Sequence, residues 1–142
     1  MKLTGHLIIK RNTIKNVDRD GVNVAGIDDF VVRRNDITAK RDGVNVDNAS
    51  DFRVRKNDIY ASRDGGHIRD ANDFRVIDND IDIGDSEEQL GRDGINIASA
   101  NDFAVDNNTI AADRDGVNIK DSNDFSVDDN EITRAGRDGV HV

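Results

Sequence analysis

Proline, cysteine and tryptophan are absent from this 142-residue chain. Without cysteine there can be no disulfide and no thiolate metal site. The absence of proline suits a long sheet, because proline lacks the N–H that a ladder hydrogen bond needs. Leucine occurs three times against 14 valines and 15 isoleucines, and this preference for β-branched residues favours strands over helices.

Apolar content is also low, since 35% of the residues are hydrophobic and 35% are charged. Such an average is typical of a disordered chain, so the arrangement of the residues has to supply the fold. No apolar segment is long enough to span a membrane, and no signal peptide is evident. We expect a soluble protein with no membrane partner. Its localisation stays open, because a signal peptide could have been removed.

The acidic charge is unevenly distributed along the chain. The net charge is −9, which argues against nucleic acid as a partner. Residues 1–71 carry 14 basic and 11 acidic groups, net +3, whereas residues 72–142 carry 6 and 18, net −12. A basic first half could meet the acidic end of another copy. Head-to-tail, salt-sensitive self-association is therefore one expected partnership, and an acidic polysaccharide is the other.

An internal repeat organises nearly the whole sequence. The unit reads R-D-G-V-N-V, then four or five polar or small residues, then D-F-x-V-x-x-N-x-I and a short polar turn. Successive Arg-Asp-Gly tripeptides are 22, 22, 29, 22 and 23 residues apart, and the longest spacing contains an insertion at about residues 84–91. The tripeptides begin at Arg19, Arg41, Arg63, Arg92, Arg114 and Arg137.

Within each unit apolar residues alternate with polar ones, which predicts three short half-buried strands separated by turns. Stacking the units places like residues over one another, so ranks of phenylalanine, valine and isoleucine form the interior. We predict one all-β domain, a right-handed parallel β-helix (a solenoid) of about six three-strand coils with roughly 22 residues per coil. The predicted coils are a partial coil at 1–18, full coils at 19–40, 41–62, 63–91, 92–113 and 114–136, and a truncated coil at 137–142.

Asparagines recur two residues before an isoleucine in every unit. We predict that they accept the left-handed backbone of a bend and that their amides hydrogen-bond from coil to coil as a structural ladder. The glycine of each Arg-Asp-Gly is expected to supply an unusual backbone angle. The ladder consists of Asn12, Asn35, Asn57, Asn79, Asn108 and Asn130.

The D-G-V-N-V and D-F-x-V-x-x-N-x-I segments, with their asparagine rank, resemble the pectate-lyase-like superfamily of right-handed parallel β-helices. The repeat is particularly similar to that of alginate epimerase catalytic modules, and the resemblance covers Leu7 to Val142. A second interpretation is a leucine-rich repeat, because Phe52-x-Val54-x-x-Asn57-x-Ile59 fits its core pattern. Against it, the other half of the unit alternates valine and asparagine and is not rich in leucine.

The resemblance implies that carbohydrate would lie on the outer face of the first strands. Polar residues occupy that position, and the ligand-binding candidates among them are Asn45, His67, Asn96 and Asn118. Asn23 and His141 complete the rank. The alternative interpretation is that these side chains form a solvent-exposed strand face and bind no ligand. The Arg-Asp-Gly rank has two interpretations as well. It could line a groove for an anionic polymer, or it could pair across adjacent coils.

Catalysis on a uronate would need a base, an acid and a cation that converge on one sugar. Only Tyr60, Arg63, Asp64 and His67 offer that mixture in one neighbourhood, and they are weak candidates. The Asp-Pro-His-Glu signature of the resembling family cannot be present, because the chain has no proline. We expect no metal and no cofactor, since His67 and His141 are three coils apart and no calcium-binding nonapeptide occurs.

The repeats are unusually uniform and the last one stops in mid-coil. We therefore expect a structural β-solenoid scaffold without catalytic activity, engineered or excised from a longer protein. The alternative is a polysaccharide-binding or uronate-processing module, which as an enzyme would be a polyuronate lyase or epimerase.

Overall fold

The computed structural model describes residues 6–84 and 92–142, and in these residues all regular structure is β-strand. Most of the predicted insertion at 84–91 thus lies outside the described residues. The strands are β1 (Leu7–Lys10), β2 (Thr13–Val17), β3 (Val22–Ala25), β4 (Phe30–Arg33), β5 (Asp36–Ala39), β6 (Val44–Arg55), β7 (Asp58–Ala61), β8 (Gly66–Ile77), β9 (Asp80–Ile83), β10 (Ile95–Asp106), β11 (Thr109–Ala111), β12 (Val117–Lys120), β13 (Asn123–Asp128), β14 (Glu131–Arg134) and β15 (Val140–His141).

The strands form two parallel sheets that run the length of the stack. The larger sheet has the order β1-β4-β6-β8-β10-β12-β15, with β3 also beside β6 and β13 also beside β10. The smaller sheet has the order β14-β11-β9-β7-β5-β2. Each strand pairs with its equivalent one repeat away, as Phe52 does with Phe74. The predicted all-β parallel solenoid is confirmed, and the leucine-rich-repeat interpretation is wrong.

The interior consists of the predicted ranks of identical side chains. Five phenylalanine rings stack nearly face to face, with centroids 4.7–5.1 Å apart. Valine and isoleucine ranks pack beside them in the same core cluster. The core residues of the first and last coils are only partly buried, because each lacks a coil on one side. These end residues are Leu7, Ile9, Ile14, Phe125, Val127 and Ile132.

The first and second strands of a coil are not always separate, which differs from the three short strands predicted. In β6, β8 and β10 they run on as one bent strand of 12 residues. In β6 the bend uses positive φ angles at Asn48 (52°) and Asp51 (56°), while Ala49 between them points into the core with 3% exposure. Pairing to the next coil continues through the bend, so the strand is not interrupted.

The asparagine ladder is confirmed, but its predicted backbone role is wrong. The residue before each ladder asparagine takes the left-handed conformation, for example Lys56 with φ 54°. Asn57 can therefore turn its side chain inward, where Oδ1 accepts hydrogen bonds from the backbone N–H and Nδ2 of Asn35, both at 3.0 Å. Its own Nδ2 donates to the Val32 carbonyl and to Asn79 Oδ1. The ladder thus satisfies buried backbone and amide groups together.

The predicted reason for the glycines in Arg-Asp-Gly is also wrong. Gly26 has the only positive φ among the described glycines, and it lies outside the tripeptides. At Gly43 the requirement is space, because an added Cβ would overlap Ile59 Cγ2 and lie 2.7 Å from the Gly65 carbonyl oxygen. Successive coils approach so closely at this corner that no side chain fits.

Candidate functional site

The Arg-Asp-Gly tripeptides form an ionic ladder between coils. Four of the arginines reach back to the aspartate of the preceding coil, and Arg41 donates from Nε and Nη2 to the two carboxylate oxygens of Asp20 at 2.7 and 2.6 Å. The geometry is the bidentate fork in which arginine and carboxylate pair most strongly. The same two-pronged bond joins Arg63 to Asp42, Arg114 to Asp93 and Arg137 to Asp115. Arg92 differs, because its Nη1 lies 3.5 Å from Oδ2 of Asp113, 21 residues further along the chain.

Burial is unequal across this ladder. The Asp42 side chain is fully buried, whereas that of Arg63 remains 33% exposed. Burial raises the pKa of Asp42 above its ordinary value, and the hydrogen bond from Arg63 offsets only part of that rise. The pKa of Arg114 is raised, chiefly by its hydrogen bond to Asp93. These charges are held by their partners in neighbouring coils and do not form an open cationic groove.

The asparagine and histidine rank of the first strands lies beside the ionic ladder. Asn45, His67, Asn96 and Asn118 are register partners along β6, β8, β10 and β12, as predicted from the repeat. Their side chains are linked by long contacts, with Asn96 Nδ2 3.4 Å from His67 Nδ1 and Asn118 Nδ2 3.3 Å from Asn96 Oδ1.

Exposure differs among the members of this rank. Asn23 is exposed, Asn45, His67 and Asn96 are half-buried, Asn118 is 2% exposed, and the last member, His141, is half-buried again. Asn118 Nδ2 donates to Asp93 Oδ2 at 3.2 Å, while its Oδ1 has no donor among the described residues. The rank is therefore less open to solvent than a simple outward strand position would be.

The four catalytic candidates do not all meet. Asp64 Oδ2 lies 3.1 Å from His67 Nδ1 and 3.7 Å from Arg63 Nε. Tyr60, however, belongs to β7 in the smaller sheet, whereas His67 belongs to β8 in the larger one. Arg63 is engaged by Asp42 in the preceding coil. The contacts support a histidine held by a buried carboxylate, without the tyrosine beside it.

The aspartate before each phenylalanine has a position in the structure that the repeat did not predict. These residues have positive φ angles of 49–58° and line a cavity of about 870 Å³ along the bend between the first and second strands. Arg53 and Arg75 flank the middle of the cavity. Strict repetition of Asp-Phe was the signal that could have drawn attention to this surface. The rank consists of Asp29, Asp51, Asp73, Asp102 and Asp124.

Within residues 6–84 and 92–142, no cluster of three or more histidine, cysteine, aspartate or glutamate side chains is placed to hold a metal ion. The same residues contain no helix with the length and apolar character needed to cross a membrane.

Comparison with protein families matches residues 1–142 to the model described as "Right handed beta helix region". The chain belongs to the right-handed β-helix family. Among solved structures, this β-helix is similar to the A-module of mannuronan C-5 epimerase AlgE4 from Azotobacter vinelandii. The TM-score is 0.70 and the identity 15%, with 96% of this chain and 56% of that chain covered.

The β-helix thus spans about half the length of that epimerase module, and at this identity the likeness is one of fold. No curated protein matches its sequence. The family resemblance inferred from the repeat is confirmed, whereas the ligand-binding and catalytic roles of individual residues stay predictions.

Proposed function

We propose that this β-helix is a structural scaffold without catalytic activity, whose polar repeat residues hold the coils together. The observation that carries the proposal is the ionic ladder. The arginine and aspartate of Arg-Asp-Gly are the most regular charged groups in the sequence, and they bond to one another across coils. Groups engaged in this way are poor general acids and poor cationic receptors for a substrate.

The arrangement around His67 supports the same proposal. Lyase or epimerase chemistry needs an acid, a base and a cation around one sugar ring. His67 is in contact with Asp64, but Arg63 is bonded to Asp42 and Tyr60 lies in the other sheet. A single histidine–aspartate contact does not supply the second proton-transfer group.

A scaffold of stacked coils should tolerate the removal of one whole coil. Deleting residues 41–62 joins Lys40 to Arg63, which then replaces Arg41 opposite Asp20 and keeps every rank in register. We expect a folded, all-β protein with a lower midpoint of denaturant unfolding, because one set of coil-to-coil contacts is lost. The matched control deletes residues 41–51, about half a coil, which breaks the register and should unfold the chain. Equal unfolding of both variants would contradict the proposal.

Absence of catalysis is tested with alginate and pectate as substrates. We expect no 4,5-unsaturated product by ultraviolet absorbance and no epimerised residues by NMR. Turnover that disappears in His67→Ala, with the circular dichroism spectrum unchanged, would overturn the scaffold proposal in favour of a uronate-processing enzyme.

A second candidate function is polysaccharide binding on the outer face of the first strands. It is favoured by the half-buried register partners Asn45, His67 and Asn96, whose polar side chains could hydrogen-bond to sugar hydroxyls. The fold likeness to an epimerase module is consistent with it. In calorimetric titrations with alginate oligosaccharides, Asn96→Ala should weaken binding, while Asn101→Ala on the same strand should not. No binding by the parent protein would exclude this candidate.

A further inference from the structure

A charged corner runs along the stack just before the asparagine ladder, and its charge changes sign half-way. We define it as the two residues that precede each ladder asparagine. The first three coils place Lys10, Arg11, Arg33, Arg34, Arg55 and Lys56 there. The last three place Ile77, Asp78, Asp106, Asn107, Asp128 and Asp129 there.

Like charges are stacked on each other in both halves of the charged corner. Lys10 is the register partner of Arg33, which is the partner of Arg55, and Asp106 is the partner of Asp128. Like charges on directly opposed residues of neighbouring strands are destabilising. In the described part of the chain, none of the six cations takes part in an ion pair.

The two ends of the stack complement one another in register. The described stack begins with the second and third strands of a coil, β1 and β2, and ends with the first strand of a coil, β15. Continuing the register past the last coil would place Leu7 over Phe125, Lys10 over Asp128 and Arg11 over Asp129. Opposite charges would then meet at the charged corner, and the half-covered apolar residues at both ends would be buried.

The polarity of the two ladders fits the same junction. In the asparagine ladder the earlier coil donates, as Asn12 does through its backbone N–H and Nδ2 to Asn35 Oδ1. Asn130 is the last acceptor of the rank and its Nδ2 donates to the carbonyls of Val105 and Asp128, while Asn12 Oδ1 accepts no hydrogen bond among the described residues. A following copy would place Asn12 Oδ1 in the next acceptor position of the rank. The ionic ladder runs the other way, so that Arg19 of a following copy would reach Asp138.

We propose that copies of this chain associate end to end, with the acidic last coil of one copy stacked on the basic first coil of the next. Both sheets and both ladders continue across the junction. Exposed strand edges favour such pairing, and here the charged corner selects one relative orientation, head to tail.

Charge reversal at the two ends tests this arrangement. Lys10→Glu with Arg11→Glu makes both ends acidic, and Asp128→Lys with Asp129→Lys makes both ends basic. Each variant alone should associate about tenfold more weakly than the parent in light scattering at low salt, while an equimolar mixture should regain association. All four residues are exposed, and each reversal removes a like-charge contact with the adjoining coil, so the variants should fold.

The matched control reverses Arg34 and Lys56, exposed members of the same charged corner in interior coils. End-to-end stacking predicts that Arg34→Glu with Lys56→Glu associates as the parent does. Loss of association in this control would mean side-by-side packing and would overturn the proposal. So would a parent protein that stays monomeric at every salt concentration, or end variants that associate as the parent does.

Cysteine cross-linking gives a second, independent measurement, because the chain has no cysteine of its own. Thr13 and Glu131 occupy the same rank at opposite ends of the smaller sheet. Oxidation of a Thr13→Cys, Glu131→Cys variant should therefore give a ladder of covalent oligomers. An Asp58→Cys, Glu131→Cys variant has its first cysteine in the same rank but in an interior coil, and should not. Equal cross-linking of the two variants would refute the junction.

Discussion

The asparagine ladder joins each described coil to the next and the ionic ladder joins four pairs of adjacent coils, yet the two ladders have opposite physical demands. In the asparagine ladder each buried Oδ1 receives two neutral donors at about 3.0 Å. The ionic ladder buries a carboxylate completely while its guanidinium partner stays partly exposed. A neutral ladder carries no penalty for burying charge, whereas an ionic one is stable only while both partners are present.

Breaking the neutral ladder in the middle of the stack should have the largest effect. Asn57→Leu leaves the backbone N–H and Nδ2 of Asn35 without their acceptor, and the Val32 carbonyl without its donor. At about 1–3 kcal/mol for each buried unsatisfied group, we expect a loss of about 4 kcal/mol in the free energy of unfolding. Urea denaturation followed by circular dichroism measures it.

The polarity of the ladder supplies a control for that experiment. Asn12→Leu removes an exposed amide whose Oδ1 accepts no hydrogen bond among the described residues, so only the donation to Asn35 is lost. The free energy of unfolding should fall by no more than about 1 kcal/mol. Equal losses for the two variants would show that the direction of the ladder has no energetic consequence.

Removing one partner of the ionic ladder should have the next largest effect. Arg63→Met keeps much of the side-chain packing but leaves the Asp42 carboxylate with only Arg41 Nε, 3.5 Å away. We expect a loss of about 2 kcal/mol at neutral pH, less than for a wholly buried pair because Arg63 is partly exposed. Adding Asp42→Asn should restore most of the lost free energy of unfolding. A double variant less stable than Arg63→Met would contradict the argument.

The pH dependence of that variant has a defined sign. Burial raises the pKa of folded Asp42, and losing Arg63 removes the largest contact that lowers it. A group with a raised folded pKa contributes stability below its unfolded pKa, and the contribution is lost as pH rises through the folded value. The difference between parent and Arg63→Met should therefore narrow from about pH 7 to about pH 4. A constant difference would show that Asp42 is not the group left unpaired.

The fold was predictable because identical residues recur at a fixed period, which leaves one register for the phenylalanine and isoleucine ranks. The local backbone conformation was harder to predict. Asparagine at the bend predicted a left-handed residue, but Lys56 takes that conformation since Asn57 must point inward to its ladder partners. The close approach at Gly43 is a tertiary contact with Gly65 and Ile59, and no local pattern reports it.

The candidate site was predictable only as a set of ranks. The repeat placed Asn96 beside His67 correctly, because both hold the same position on the first strand. Two interpretations of Arg-Asp-Gly stayed open, since the spacing of Arg63 and Asp42 does not say which way the guanidinium turns. Closeness in sequence also suggested that Tyr60 accompanies His67, but the turn between their strands assigns them to different sheets.

The smallest effect is expected where the same residue types pair in solvent, at Asp47 and Arg69. Arg69 Nη2 donates to Asp47 Oδ2 at 2.9 Å, and this hydrogen bond lowers the pKa of Asp47. A group with a lowered folded pKa contributes stability above its unfolded pKa, and this stability is lost as pH falls through the folded pKa, which is the reverse of Asp42.

Asp47→Asn should thus lower the unfolding midpoint slightly at neutral pH and low salt. It should have no effect in acid, where Asp47 is protonated, or at high salt, where the ion pair is screened. Asp121→Asn, an exposed aspartate without an ion pair among the described residues, serves as the control. If Asp47→Asn were as costly as Arg63→Met, burial would not be what distinguishes the ionic ladder from an ordinary surface pair.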